Sequence, residues 1–183
     1  MKSTFSLGRG LRGAEAAARD GRKKPNGFTL IELLIVIAII LILMLMAIPT
    51  VGSIKKKANE TSAINSMKVI TGAELQYDSS YPATGYACAL SALGGEPSSG
   101  APSPTGAQLI QPDLASGEKS GYTFTISNCT KVSANGTDRI TGYTLTAVPQ
   151  TVGKTGDRGF CSDQFGNIKY DPAGGTGCTQ QLQ

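Results

Sequence analysis

Histidine is missing from the 183-residue chain. That removes the commonest general base and half of most nucleophilic pairs. No Cys-x-x-Cys pair is present either, so a zinc site has little to build on. The glycines at Gly153–Gly156 lack the strand–helix context with Lys and Ser/Thr in order that a phosphate cradle needs. The most apolar part of the chain, Leu33–Ile48, holds no glycine, and GxxxG is absent from it. Together these gaps argue against an enzyme. The carboxylates Asp157, Asp163 and Asp171, near the C-terminus, are the remaining candidates for paired acid–base work.

The chain does have an uneven distribution of hydrophobic residues. From Phe28 to Ile48 only Thr29 and Glu32 are polar. A helix rising about 1.5 Å per residue would make this run roughly 30 Å long, the hydrocarbon thickness of a bilayer. The mean hydropathy of −0.06 therefore averages a greasy anchor with a polar remainder.

The net charge of +4 divides just as unevenly. Residues 1–27 carry seven basic residues (Lys2, Arg9, Arg12, Arg19, Arg22, Lys23, Lys24) against Glu15 and Asp20. From totals of 17 basic and 13 acidic, that leaves 10 and 11, or −1, for the rest. The basic balance is thus a topological signal and gives no reason to expect nucleic acid as a partner. Lys and Arg ahead of an apolar span stay in the cytoplasm, which places the remainder outside. A secretory signal peptide is the rival reading. It fails because the apolar run is too long, carries an acid near its start, and is not followed directly by a small-x-small cleavage site.

All four cysteines, Cys88, Cys129, Cys161 and Cys178, fall in the exported part. An even count in an oxidising compartment points to two disulfides, and three pairings are open. The favoured pairing is Cys161–Cys178, which closes a short C-terminal loop, and hence Cys88–Cys129.

Residues 1–27 read as a processing segment. Beyond Pro49 and Gly52 the pattern becomes amphipathic, with Ile54, Ala58, Ile64, Met67, Ile70 and Tyr77 at helical spacing. Lys55, Lys56, Lys57, Glu60, Asn65, Lys68 and Glu74 fall mostly between them, and Lys55–Lys57 reads as a solvated face at the outer membrane surface. One helix from about Thr29 to Asp78, bent at Pro49, is expected. Residues 79–117 form a long connection with apolar pieces at Ala87–Leu93 and Leu109–Leu114 and room for a helical turn or two. Tyr77, Tyr81 and Tyr86 should pack that connection onto the helix.

The period then becomes two. Tyr122, Phe124 and Ile126 alternate with Thr123, Thr125 and Ser127, and Tyr143, Leu145 and Ala147 with Thr144, Thr146 and Val148. Arg158–Asp163 and Asn167–Tyr170 flank a hairpin turn at Gln164–Phe165–Gly166. The expected fold class is α+β. A long N-terminal helix, transmembrane in its first half and amphipathic in its second, packs on a small antiparallel sheet of about four strands. The segments are a leader (1–27), a transmembrane helix (28–48), its amphipathic continuation (49–78) and an exported globular part (79–183).

The junction Lys23-Lys24-Pro25-Asn26-Gly27-Phe28-Thr29-Leu30-Ile31-Glu32 closely resembles the prepilin cleavage and methylation motif of type IV pilins and type II secretion pseudopilins. The close match covers roughly Lys23 to Pro49, and the C-terminal half is similar only in layout. The resemblance implies cleavage by prepilin peptidase after Gly27, N-methylation at Phe28, and a role for Glu32 in fixing register against the amino terminus of a neighbouring subunit. It also implies a pilin-like fold and a bend or melting of the helix near Pro49 on assembly. Two departures stand out: the leader is long for pilins whose mature chain starts with phenylalanine, and Leu41 replaces the helix-breaking glycine usual in the span.

Some pseudopilins hold calcium in the C-terminal loop, where Asp163, Asn167 and Asp171 would supply oxygen ligands here. Asp and Asn are also standard turn residues, and that reading is preferred, with no cofactor expected.

The resemblance implies a structural polymer, the precursor of a type IV pilus subunit. Its partners would be further copies in a helical filament, prepilin peptidase, inner-membrane lipid and the pilus or secretion assembly machinery. Its location would be the inner membrane, single-pass, then an extracellular pilus or a periplasmic pseudopilus. The alternatives are the major pseudopilin of a type II secretion system and, from another class, a permanently anchored periplasmic binding or enzyme domain.

Overall fold

The computed structural model describes residues 27–134 and 136–182, with side chains left out at 46–50, Ser99 and Ala134. The leader expected over residues 1–27 therefore lies outside the described residues up to Asn26. The chain divides into two units, residues 1–41 and 42–183, each taken here by itself.

In the first unit, residues 27–29 are non-helical and helix α1 begins at Leu30. Every described side chain here is exposed, Leu30 at 85% and Ile31 at 68% among them. The helix continues to Ser80, 51 residues in all, close to the expected bounds. Its backbone is helical through Pro49, whose side chain is outside the described residues. Among the described residues no helix is long and apolar enough to cross a membrane. The apolar stretch with described side chains, Leu30–Leu45, stops short of the 46–50 segment, and the transmembrane half expected from sequence is not shown.

In the second unit the rest of α1 is followed by three short helical pieces: α2 (Leu90–Leu93), a 3-10 turn (Pro97–Ser99) and α3 (Pro112–Ala115). Then comes a sheet of six strands: β1 (Glu118–Lys119), β2 (Tyr122–Ala134), β3 (Thr137–Pro149), β4 (Gly159–Asp163), β5 (Lys169–Asp171) and β6 (Gln180–Gln181). The strands are antiparallel and lie side by side in chain order.

Six strands stand where about four were expected. The two extra ones, β1 and β6, are two residues long, too short to show a periodicity of two. The expected strands at Tyr122 and Tyr143 were also too short. Each runs for 13 residues, Ala134 at the end of β2 pairs with Thr137 at the start of β3, and Gly136 has φ +77°. The Asn135-Gly136 dipeptide is itself a hairpin signal in the sequence. The β4–β5 turn does fall at Gln164–Gly166, where Gly166 has φ +76° and donates to the Asp163 carbonyl at 2.9 Å.

Alternation sends Tyr122, Phe124, Ile126, Tyr143, Leu145, Ala147 and Phe160 to the buried face. Opposite them, α1 buries Ala63, Met67, Ile70, Ala73 and Tyr77. The apolar pieces of the connection complete the core with Ala87, Leu90, Leu93, Ile110 and Leu114. Burying a side chain of the size of Met67 or Leu145 contributes about 1.5–3 kcal/mol.

The helix stripe needs correcting. Ile54 is 60% exposed, Ala58 is exposed and Ile64 is only half-buried. The stripe is instead Glu60, Ala63, Met67, Ile70, Glu74 and Tyr77, spaced by three and four, and it includes two carboxylates that sequence periodicity placed on the wet side. Glu60 is tolerated because it is fully engaged. Its Oε2 accepts from Arg158 Nε (2.9 Å) and Nη2 (2.7 Å), and its Oε1 from the backbone N–H groups of Asp157 (2.9 Å) and Arg158 (3.2 Å). Arg158 in turn lies over the rings of Phe160 and Tyr170, 5.5 and 5.2 Å from their centroids. The helix therefore holds the β3–β4 connection through a charge-assisted fork.

The cysteines pair as Cys88–Cys129 and Cys161–Cys178. The first ties the connection to an irregular point of β2, where pairing with β3 shifts register between Ser127 and Thr130 and Asn128 has φ +50°. Beside it, Gly85 bridges Ile140 of β3, and a Cβ at Gly85 would collide with the Ile140 carbonyl. Tyr77 donates its hydroxyl to the Pro104 carbonyl at 2.7 Å and lies 4.8 Å from the Tyr81 ring. Tyr86 meets Tyr143 of the sheet edge-on at 5.3 Å.

Candidate functional site

Three of the sequence-selected residues, Gly27, Phe28 and Glu32, lie at or just before the start of α1. Gly27, Phe28 and Thr29 precede the helix, and a Cβ at Gly27 would meet no neighbouring atom within 4 Å. The Phe28 side chain is 80% exposed. Gly27 brings no side chain to obstruct approach to the Gly27–Phe28 peptide, and Phe28 lies ahead of the helix.

Thr29 is the residue that sequence reasoning passed over. Its Oγ1 accepts the backbone N–H of Glu32 at 3.2 Å, and its carbonyl takes the N–H of Leu33 at 3.2 Å. The same hydroxyl donates to Oε2 of Glu32 at 3.5 Å. Thr29 is thus the N-cap of α1 and Glu32 stands at the third helical position, the spacing of a capping box. The T-x-x-E pattern ahead of an apolar run would have found it. The carboxylate also sits where the helix presents its unpaired N–H groups and the positive end of its dipole. Chemically, the arrangement places one exposed acid in the first turn of the helix, four residues after Phe28.

The other sequence candidates do not gather. Asp163 Oδ1 accepts the N–H of Phe165 (3.0 Å) and shapes the β4–β5 turn. Asp171 accepts from Ala173 N (2.9 Å) and Gly177 N (3.2 Å), and Asp157 pairs with Lys56 at 2.8 Å. Among the described residues, no three His, Cys, Asp or Glu form a group that would hold a metal ion. Lys55 and Lys57 are exposed, whereas Lys56 is committed to Asp157. Pro49 contributes only its backbone to the description.

Comparison with known proteins bears on this same stretch. Residues 22–48 match the prokaryotic N-terminal methylation motif, so the chain carries a prepilin-type methylation motif that encloses Gly27, Phe28, Thr29 and Glu32. No curated protein and no solved structure matches the chain.

Proposed function

We propose that this chain is the precursor of a type IV pilin-like subunit, a structural protein cut after Gly27, N-methylated at Phe28 and polymerised through α1. One observation carries the reading. The methylation motif at residues 22–48 coincides with an open Gly27–Phe28 peptide followed at once by a capped helix with an acid in its first turn. In this reading Phe28–Ile48 is the membrane span, with the basic leader in the cytoplasm and the globular part outside.

Hydrolysis at Gly27 frees the Phe28 amine. A carboxylate within an apolar span costs about 2.5–3.5 kcal/mol on insertion scales, so Glu32 gains most from a cationic partner. The Phe28 amine of the same chain would lie four residues before Glu32, ahead of the helix. In a filament the amine of a neighbouring copy would fill that role and set the axial register as chains add. Thr29 caps the helix through the Glu32 N–H, which sets the start of the turn that carries this acid. The reading names a pilus; the major subunit of a type II secretion fibre would share every one of these steps.

Intact-mass and N-terminal analysis of membranes from cells expressing the chain, with and without a prepilin peptidase, tests the proposal. A peptidase-dependent start at Phe28 carrying one methyl group supports it. An intact leader beside an active peptidase overturns it and favours a permanently anchored domain.

A further inference from the structure

The end of the 42–183 unit nearest the apolar run has an unusual surface. Val51 and Ile54 of α1 are 62% and 60% exposed, and Val152 in the β3–β4 connection is 55% exposed. Interleaved with them are Lys55, Lys57 and Lys154, all exposed and without an ion-pair partner among the described residues. The connection is fixed against α1 at this level: Lys56 binds Asp157 at 2.8 Å, and Asn59 donates its amide to the Thr155 carbonyl at 2.8 Å. Lys55 lies one helical turn before Asn59, on the same face, and Lys154 adjoins Thr155. The acids at this end, Glu60 and Asp157, are both neutralised, by Arg158 and Lys56. What remains toward solvent is apolar and cationic.

That mixture suits a lipid–water interface, where aliphatic side chains enter the acyl boundary and lysines reach phosphate. Distance along the helix agrees. At about 1.5 Å per residue, Lys55 lies roughly 10 Å past Ile48, within reach of headgroups for a side chain that snorkels back. We infer that this end of the unit, with Val51, Ile54, Lys55 and Lys57 arrayed around α1 and Val152 and Lys154 on the connection, docks the globular unit on an anionic headgroup surface before assembly. The inference rests on the proposed membrane span at Phe28–Ile48. Docking would hold the globular unit down on the leaflet, and leaving the membrane would strip the lysines of their phosphates.

The experiment uses the full chain in lipid nanodiscs, with phosphatidylcholine alone or with a third phosphatidylglycerol. Lysine acetylation is read site by site by mass spectrometry, with exposed Lys68 and Lys131 as references. In the anionic discs labelling of Lys55, Lys57 and Lys154 should fall about fivefold, as attraction of a lysine to an anionic leaflet requires. The protection should vanish in high salt. Val152→Asp should restore labelling of Lys154 and leave Lys68 unchanged.

Equal labelling in both disc types, with the chain inserted, overturns the docking alone. Protection that ignores lipid charge but rises with the number of chains per disc assigns this end to a second copy, and also overturns it. A chain that does not co-elute with the discs overturns the span, and the docking with it.

Discussion

Ala87 donates its backbone N–H to Oε2 of Glu74 across 2.7 Å, inside the core, and Glu74 Oε1 has no partner among the described residues. This contact ties the segment just before Cys88 to α1 thirteen residues earlier. Burial pushes the carboxyl up from the usual 4.5 to about 8; the Ala87 N–H works against that shift and the nearby charge of Asp78 adds to it. At neutral pH Glu74 is therefore largely protonated in the folded chain.

The sign of the linkage follows from where the proton goes. The unfolded chain releases the Glu74 proton near 4.5, and the folded chain holds it to about 8. Stability from this group is thus greatest below 4.5 and falls as pH rises through that window, levelling above about 8. Glu74→Gln keeps an acceptor for Ala87 and removes the titration. Thermal melts of the full chain in detergent should show the variant more stable than the parent at pH 8 by on the order of a few kcal/mol, and little different at pH 4.5. A parent and variant with parallel pH profiles would refute the assignment.

Glu60, unlike Glu74, has hydrogen-bond donors on both of its carboxylate oxygens. Arg158→Leu should destabilise the globular unit by about 3 kcal/mol, because it leaves a buried carboxylate with two backbone donors and no counter-charge. Denaturant titration should show a lower midpoint with the slope unchanged. The double variant Glu60→Leu/Arg158→Leu should recover part of the loss.

Cys161–Cys178 closes a segment of 17 residues. Replacing both cysteines with serine should lower stability by about 3 kcal/mol on chain-entropy grounds. Asp171 holds the same loop from inside through Ala173 and Gly177, so Asp171→Ala should act synergistically with the cysteine change. Melts of the single and combined variants measure the coupling.

Glu32→Ala should leave cleavage after Gly27 intact, since the scissile bond precedes the helix, yet abolish filaments seen by electron microscopy. Thr29→Val should weaken the helix start by about 1 kcal/mol and lower filament yield, and Thr29→Ser should restore it. Normal filaments from Glu32→Ala would remove the register role.

The long helix and the methylation motif were legible in consecutive residues. The apolar run from Leu33 and the Gly27–Glu32 junction are properties of neighbours in sequence, and α1 ends within two residues of its expected limit. The inward strand residues Tyr122, Phe124, Ile126, Tyr143, Leu145 and Ala147 were equally legible, because alternation is a property of neighbours.

Tertiary structure decided what depends on partners remote in sequence. Glu60 and Glu74 read as wet-face residues because a carboxylate belongs inside only when a distant group meets it. Those groups, Arg158 and the Ala87 N–H, lie 98 and 13 residues away. Strands of two residues, such as β1 and β6, exist only because a neighbouring strand offers them hydrogen bonds. Local sequence thus determined where the chain carries its methylation motif, where its long helix is capped and where it is apolar. Only the packed fold could select which helix positions face the sheet and which charges are buried; the cysteine pairing favoured from sequence is the one that closes.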